Sequence, residues 1–498
     1  MTVVSRKSQD ESPGNHHAAQ TPRSTIHAPR ISMSWWFLMT AACLLLSLVM
    51  HLRGLDVFLT ADELKWTCRS INFRTALLQG DLAHTFQVGH PGVITMWAAS
   101  LGLPLNLGGD WSDACQETRI SQLAVNIGHE KLTELGRLAF LARRPVAVLT
   151  WLCTVAIVLL TVRLFGRIAG VMAAVLVGLD PFYLALSRVL HLDALTGSFM
   201  VISLLALLVS LSGDERPTTN DQRLSFAVRR SWLVTSGLVA GLAFLNKSPA
   251  LFLGPLAVAA IVVAAWPGRQ WRQALVTAMI WVVAAGVVTF ALWPALWVNP
   301  IGTSLAVFDK ALGYAAEGHD NLNYFLGEIV NDPGPAFYPV AWAFRTTPLV
   351  WLGLLGLVLG WLHRRSNPPA SADRWSLAGL FAFGLLFSAF MTIGAKKFDR
   401  YIVPTFLALD VMAAVGLAWL VEWIAGSRSR SPESRNRNPA PGSRFLTPGF
   451  YAVLALAQVV LILPYGPYLL SYFNPLLGGG RVAQQVMLVG WGEGLDQA

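Results

Sequence analysis

Two carboxylates stand side by side in FLTADELKWTCRS, residues 58–70, a few residues past a long apolar run. A carboxylate held near a reacting hydroxyl can take its proton. Thr60-Ala61-Asp62-Glu63 also has the form of a capping box, in which the Glu63 amide donates to the Thr60 hydroxyl and the Glu63 side chain accepts from the Thr60 amide. Adjacent helical residues point about 100° apart, so the two acids cannot do one job. With Glu63 tied to the cap, Asp62 is left to face a substrate, and the positive end of the helix favours its charged form. The plain alternative makes one a cap and the other a first-turn acid. Leu64, Cys68, Ile71, Thr75 and Leu78 repeat at helical spacing before Gly80, a stop signal. The spacing predicts an amphipathic helix on a membrane surface.

More chemistry-bearing residues follow. GDLAHTFQVGHPGVITMW, residues 80–97, holds Asp81, His84 and His90. Their spacing matches no recognised metal set, so we expect no metal and read His90 as a substrate contact or a turn residue. SRVLHLDALTGSF contributes Arg188, His191 and Asp193, and LNKSP contributes Lys247. AKKFDRY contributes Lys396, Lys397 and Arg400. A charge inside a span costs about 2.5–3.5 kcal/mol on insertion scales, so each needs a reason. Gathered at the lipid boundary, the cations suit a phosphate group. The competing readings are an Arg188–Asp193 pair tying a hairpin, and lysines that snorkel to the interface. HDNLNYFLGEIVNDPGPAFYPVAW, residues 319–342, mixes aromatics with amides and carboxylates, a surface that suits sugars.

These residues must be positioned by membrane helices. The chain is 54% hydrophobic and 13% charged, against about 25% charged in soluble domains. About eleven apolar stretches reach the roughly 20 residues that a bilayer core demands. They lie near 34–52, 143–163, 168–187, 191–211, 232–247, 249–266, 273–296, 342–362, 374–394, 401–424 and 447–471. The expected fold class is all-α: a polytopic membrane protein whose long first exoplasmic loop, 53–142, carries amphipathic juxtamembrane helices. A second such loop spans 299–341. Residues 1–33 read as a disordered cytoplasmic tail and 425–446 as a cytoplasmic linker. Residues 472–498 form a short exoplasmic segment.

With the N-terminus inside, every short inside loop is basic, as the positive-inside rule asks. AKKFDRY is a basic cluster outside, against that trend. The net charge of +9 is then a matter of topology, and no nucleic-acid partner is expected. Cys43 and Cys153 fall in apolar runs; Cys68 and Cys115 share the first loop and could pair in an oxidising compartment.

The order of these motifs resembles a known family. The N-terminal span, the Asp-Glu pair, HPGVITMW, SRVLHLDALTGSF, GLAFLNKSPALFLGP and KKFDRYIVP are similar to segments of lipid-carrier-dependent glycosyltransferases. These are the protein O-mannosyltransferase type of GT-C enzyme, related to the aminoarabinose transferases. FLGEIVNDPGPAFYPVAW and PYLLSYFNPLLGG resemble the bacterial branch. The resemblance implies that Asp62 takes the place of the catalytic aspartate, with Glu63 as its motif partner. It also implies that Lys396, Lys397 and Arg400 contact the phosphate of the lipid donor. Thr60-Ala61 departs from the His-Pro that often precedes the acidic pair. Relatives often continue past the last span, so a truncated copy is one expectation.

The reaction this implies is transfer of a hexose such as mannose from a polyprenyl-phosphate carrier to an acceptor hydroxyl of a protein or glycan, on the exoplasmic face. Asp62 acts as base, the configuration inverts, and the cations steady the leaving phosphate. The scheme requires no cofactor; its partners are the donor, membrane lipid and the acceptor. Two rivals stand beside it: a transporter, which suits intramembrane charges and broken spans, and a non-catalytic polyprenyl-phosphate binder.

Overall fold

The computed structural model describes residues 33–107, 111, 115, 128–212, 228–316, 323–363, 371–427 and 443–491. Most of the tail 1–33, most of the linker 425–446, residues 319–322 of the aromatic loop and the last seven residues lie outside these. Helices make up most of the described chain, which also holds one antiparallel hairpin, Asn323–Phe325 with Glu328–Val330, in which Tyr324 faces Ile329.

Among the described residues, seven helices are long and apolar enough to cross a membrane, or eight if a bent pair counts as one. That pair is Phe337–Arg345 and Pro348–His363, set at 108°. The eleven expected stretches meet several local breaks in these helices. Gly128–Leu176 runs through two expected stretches and kinks at non-helical Gly166, between them. The rest of the stretch 168–187 breaks at Asp180, whose side chain caps a separate short helix, Pro181–Ser187. The helix Arg230–Asn246 has only 17 residues before the chain turns at Lys247, and the stretch near 447–471 leaves its helix at Ile462.

Two spans form the centre. Asp193–Leu211 and Asp399–Trp423 are 94% buried over their most apolar windows, whereas Trp271–Leu292 is 17% buried. A helix that is apolar on all sides is stable only when enclosed by protein or lipid. The inner two take the first course, and Trp271–Leu292 turns Leu275, Met279, Val283 and Phe290 outward. The helix Val403–Ser427 meets Pro348–His363 backbone to backbone: a Cβ on Gly416 would overlap the Gly353 carbonyl. Small residues at such a crossing let membrane helices pack by close contact.

In the first loop the helix Glu63–Gln79 ends at Gly80, in the left-handed conformation (φ 73°), as the sequence predicts. Its inner face differs from the expected one. Trp66, Cys68, Ile71, Phe73 and Ala76 are buried, whereas Leu78 is exposed and Thr75 also faces out. The helix packs on Val93–Gly102 and on the long helix Gly128–Leu176, so it rests on protein on one side. Arg74 donates to the carbonyls of Ser100, Leu103, Pro104 and Leu105, covering the end of the helix Val93–Gly102, where carbonyls lack intrahelical partners. Cys68 and Cys115 form a disulfide.

The C-terminal part returns to the hairpin of the second loop. The Leu326 amide donates to the Val486 carbonyl (2.7 Å), and Met487 bridges Phe325 of the hairpin. This seats the stretch 487–491 against the mouth of the bundle.

Candidate active site

Asp62 and Glu63 part company at the first turn of their helix. The Glu63 carboxylate is fully buried. It accepts from the Thr60 amide (2.7 Å), the Leu190 amide (2.7 Å), and Arg143 Nε (2.6 Å) and Nη2 (2.5 Å). The back-reaching half of the capping box is thus present. The other half is not: the Glu63 amide donates to the Thr60 carbonyl, and the buried Thr60 hydroxyl has no partner among the described residues. Asp62 makes no side-chain cap bond. Its carboxylate is about a third exposed and opens on a cleft.

That cleft, of about 270 Å³, is lined by Asp62, Asn323, Arg345, Asp399, Arg400 and Trp491, with Phe182, Phe337, Met487 and Leu488 as apolar wall. Arg400 comes from the short 3-10 turn Asp399–Ile402. Its Nη2 lies 3.6 Å from Asp62 Oδ2, and its Nε 3.3 Å from Asp193 Oδ2. The guanidinium is sandwiched by Phe398 and Trp491, each 4.1 Å from ring centroid to Cζ. Such faces hold a cation in place while leaving its N–H groups free to donate.

Asp193, the first residue of a central helix, is the hub behind the cleft. Lys247 Nζ donates to its Oδ1 at 2.6 Å. Its Oδ2 has His191 Nδ1 at 3.0 Å and Arg400 Nε at 3.3 Å, neither aligned as a hydrogen bond. Lys247 also lies over the Tyr401 ring. The break at LNKSP explains itself here. Asn246 donates to the Leu192 carbonyl and the Thr196 hydroxyl and accepts from the Thr95 amide and hydroxyl. It stitches three helices, so the next residue is delivered to Asp193. Gly92 is fixed by the same junction: its φ is +61° and a Cβ there would run into the Trp66 ring.

Other sequence-chosen residues sit elsewhere. Arg188 does not pair with Asp193 as the hairpin reading supposed. It donates to the carbonyls of Arg53, Gly54 and Pro467, clamping the first loop to the C-terminal part. Lys397 is buried and donates to Asp332 and the Gly394 carbonyl. Burial acts to raise the Asp332 carboxyl, but Lys397 and the Gly334 amide outweigh it and hold it below the usual carboxylate range. Lys396 lies outside the cleft lining. It shares with Lys247, Arg69 and Lys310 the field around His90; burial first, then these cations, push that imidazole down to about 3. His84 pairs with exposed Asp81 at 2.6 Å. Among the described residues no group of three or more His, Cys, Asp or Glu converges to hold a metal ion.

Among the lining residues that escaped the sequence reading are Arg345 and Trp491. Arg345, at the end of the bent pair's first helix, donates to Asp399 at 2.8 Å and to the carbonyls of Leu470 and Tyr472. A lone arginine between two apolar helices was its only signal. Trp491 carried none.

Residues 131–297, about a third of the chain, match the family model described as dolichyl-phosphate-mannose-protein mannosyltransferase. No curated protein matches the chain in sequence. Among solved structures, the fold is similar to ArnT from Cupriavidus metallidurans bound to undecaprenyl phosphate: TM-score 0.50, 18% identity, covering 87% of this chain and 71% of that one. The same protein in the apo state gives a TM-score of 0.48 at 19% identity, covering 86% and 70%. The archaeal oligosaccharyltransferase AglB from Archaeoglobus fulgidus, in complex with an inhibitory peptide and a dolichol-phosphate, gives 0.46 at 15% identity, covering 85% of this chain and 55% of its own. The fold is that of a polytopic, all-helical membrane protein similar to ArnT, and a third of the chain matches the protein mannosyltransferase family model.

Proposed function

We propose that the chain moves a hexose, mannose in the first instance, from a polyprenyl-phosphate carrier to an acceptor hydroxyl, with inversion and with Asp62 as base. One observation carries the reading: Asp62, from the start of the chain, and Arg400, from near its end, face each other at 3.6 Å across one cleft. An acceptor O–H placed beside Asp62 gives up its proton as its oxygen attacks the anomeric carbon. The bond from that carbon to the phosphate oxygen breaks on the opposite side. Arg400, fixed between aromatic faces, takes up the charge gathering on the phosphate, and the cations around His90 extend the positive field. Glu63 and Asp193 act as positioning residues: one anchors the helix that presents Asp62, the other orders Arg400, Lys247 and His191.

The exoplasmic placement of this cleft rests on the disulfide. Cys68 lies on the same helix as Glu63, and its bond to Cys115 suits an oxidising compartment. The N-terminus would then be cytoplasmic.

The test is transfer of radiolabelled hexose from a polyprenyl-phosphate donor in membranes carrying wild-type or Asp62→Asn protein. The variant should bind the donor lipid, detected by mass spectrometry of co-purified lipid, and lose transfer. Transfer at the wild-type rate would remove Asp62 from the mechanism. Bound lipid without turnover in the wild type would favour the non-catalytic binder.

A further inference from the structure

The proton that Asp62 takes must leave again before the next turnover. Beside Asp62 stands His191, with Nε2 3.8 Å from Oδ2. The other ring nitrogen, Nδ1, is 3.0 Å from Asp193 Oδ2. Carboxylate, imidazole and carboxylate thus stand in sequence from the cleft inward. The imidazole is buried (8% exposed). Trp66 and Trp491 meet it edge to face, with centroids at 6.4 and 4.8 Å. Lys247 and Arg400 lie behind, on Asp193. The charged groups facing the ring are therefore Asp62 and Asp193, with two cations one contact further away.

We infer that His191 relays the proton away from Asp62, with Asp193 as the positioning residue that fixes its tautomer. The inference rests on the reading of Asp62 as base. Before reaction the ring is neutral, its Nδ1–H turned to Asp193 and its Nε2 lone pair to Asp62. The acceptor proton passes to Asp62 as the new carbon–oxygen bond forms and the carbon–phosphate oxygen bond breaks, its electron pair leaving with the phosphate. Asp62 then gives the proton to Nε2, and Asp62 and the ring become carboxylate and imidazolium. Asp193 steadies the imidazolium until the proton leaves to water with the products. A gap of 3.8 Å exceeds a hydrogen bond, but Asp62 carries no cap bond that would hold it, and such contacts often tighten only once substrate is bound.

The experiment uses the full chain in lipid nanodiscs and a polyprenyl-phosphate hexose donor on which the wild type turns over. In His191→Asn the amide nitrogen can still donate toward Asp193, with nothing at the Nε2 position. A purely structural role predicts near wild-type turnover for it. The relay predicts kcat lower by about 10²-fold with an unchanged thermal midpoint, and KM for the donor within about twofold. In His191→Ala, added imidazoles should restore turnover in order of their basicity. Wild-type kcat in His191→Asn, or rescue that follows the size of the base and not its strength, overturns the relay. Should Asp62→Asn stay active, the base assignment itself has failed. Should Asp62→Asn be dead while His191→Asn is normal, only the relay has.

Discussion

Asp62 and Glu63 are neighbours in sequence with opposite surroundings. Glu63 is fully enclosed and four N–H groups converge on it. Arg400 Nη2 and His191 Nε2 stand 3.6 and 3.8 Å from Asp62, and a third of its side chain is open. A buried group whose bonds are complete holds structure; a group left with unspent hydrogen-bonding capacity in a lined cleft can act on a substrate. Which acid does which is decided by what Arg143 and Leu190, distant in sequence, bring to the first turn.

The largest test of this contrast is Asp62→Asn. Transfer of hexose should fall by about 10²–10⁴-fold, while the thermal midpoint in detergent stays put; a shifted midpoint would mean that Asp62 is structural too. Next comes Arg143→Met, which leaves Glu63 buried without its counter-ion. Breaking such a pair costs about 3–5 kcal/mol, and activity should fall only with the folded fraction. Cys115→Ser, which unties the helix from the loop, should cost about 2–4 kcal/mol, read from denaturant unfolding.

His90 gives a smaller, pH-dependent effect. Burial and the surrounding cations hold its folded pKa at about 3, below the ordinary value. Between that ordinary value and about 3 the unfolded state binds a proton that the folded state refuses, so stability is lost as pH falls through this window, by up to about 1.4 kcal/mol per pH unit. His90→Gln should flatten that limb of the melting profile. The smallest effect belongs to Thr60→Ala. A working cap hydroxyl is worth about 1 kcal/mol, but this one has no partner among the described residues, so the change should stay within about 0.5 kcal/mol.

The sequence made the all-helical membrane architecture readable, because runs of apolar residues carry that message without help from distant parts of the chain. It also separated Asp62 from Glu63, since helix geometry alone divides them. The break inside one expected span was less readable: Asp180 divides the stretch 168–187 by capping a separate short helix. Within AKKFDRY, three cations looked alike, yet Arg400 faces the cleft, Lys397 is bound to Asp332, and Lys396 stands near His90. Which way each points depends on the hairpin region and the C-terminal stretch, partners that local pattern cannot name. Arg345 and Trp491 were missed for the same reason. His191 was noticed, but only its approach to both Asp62 and Asp193 gives it work to do.

The meeting of Gly353 with Gly416 also bears on how such a machine could flex. Two main chains in direct touch, with no side chain between them, cannot slide or roll without collision, so that crossing behaves as a keel. Whatever breathing the bundle undergoes must fall to peripheral segments such as Trp271–Leu292, only 17% buried by protein.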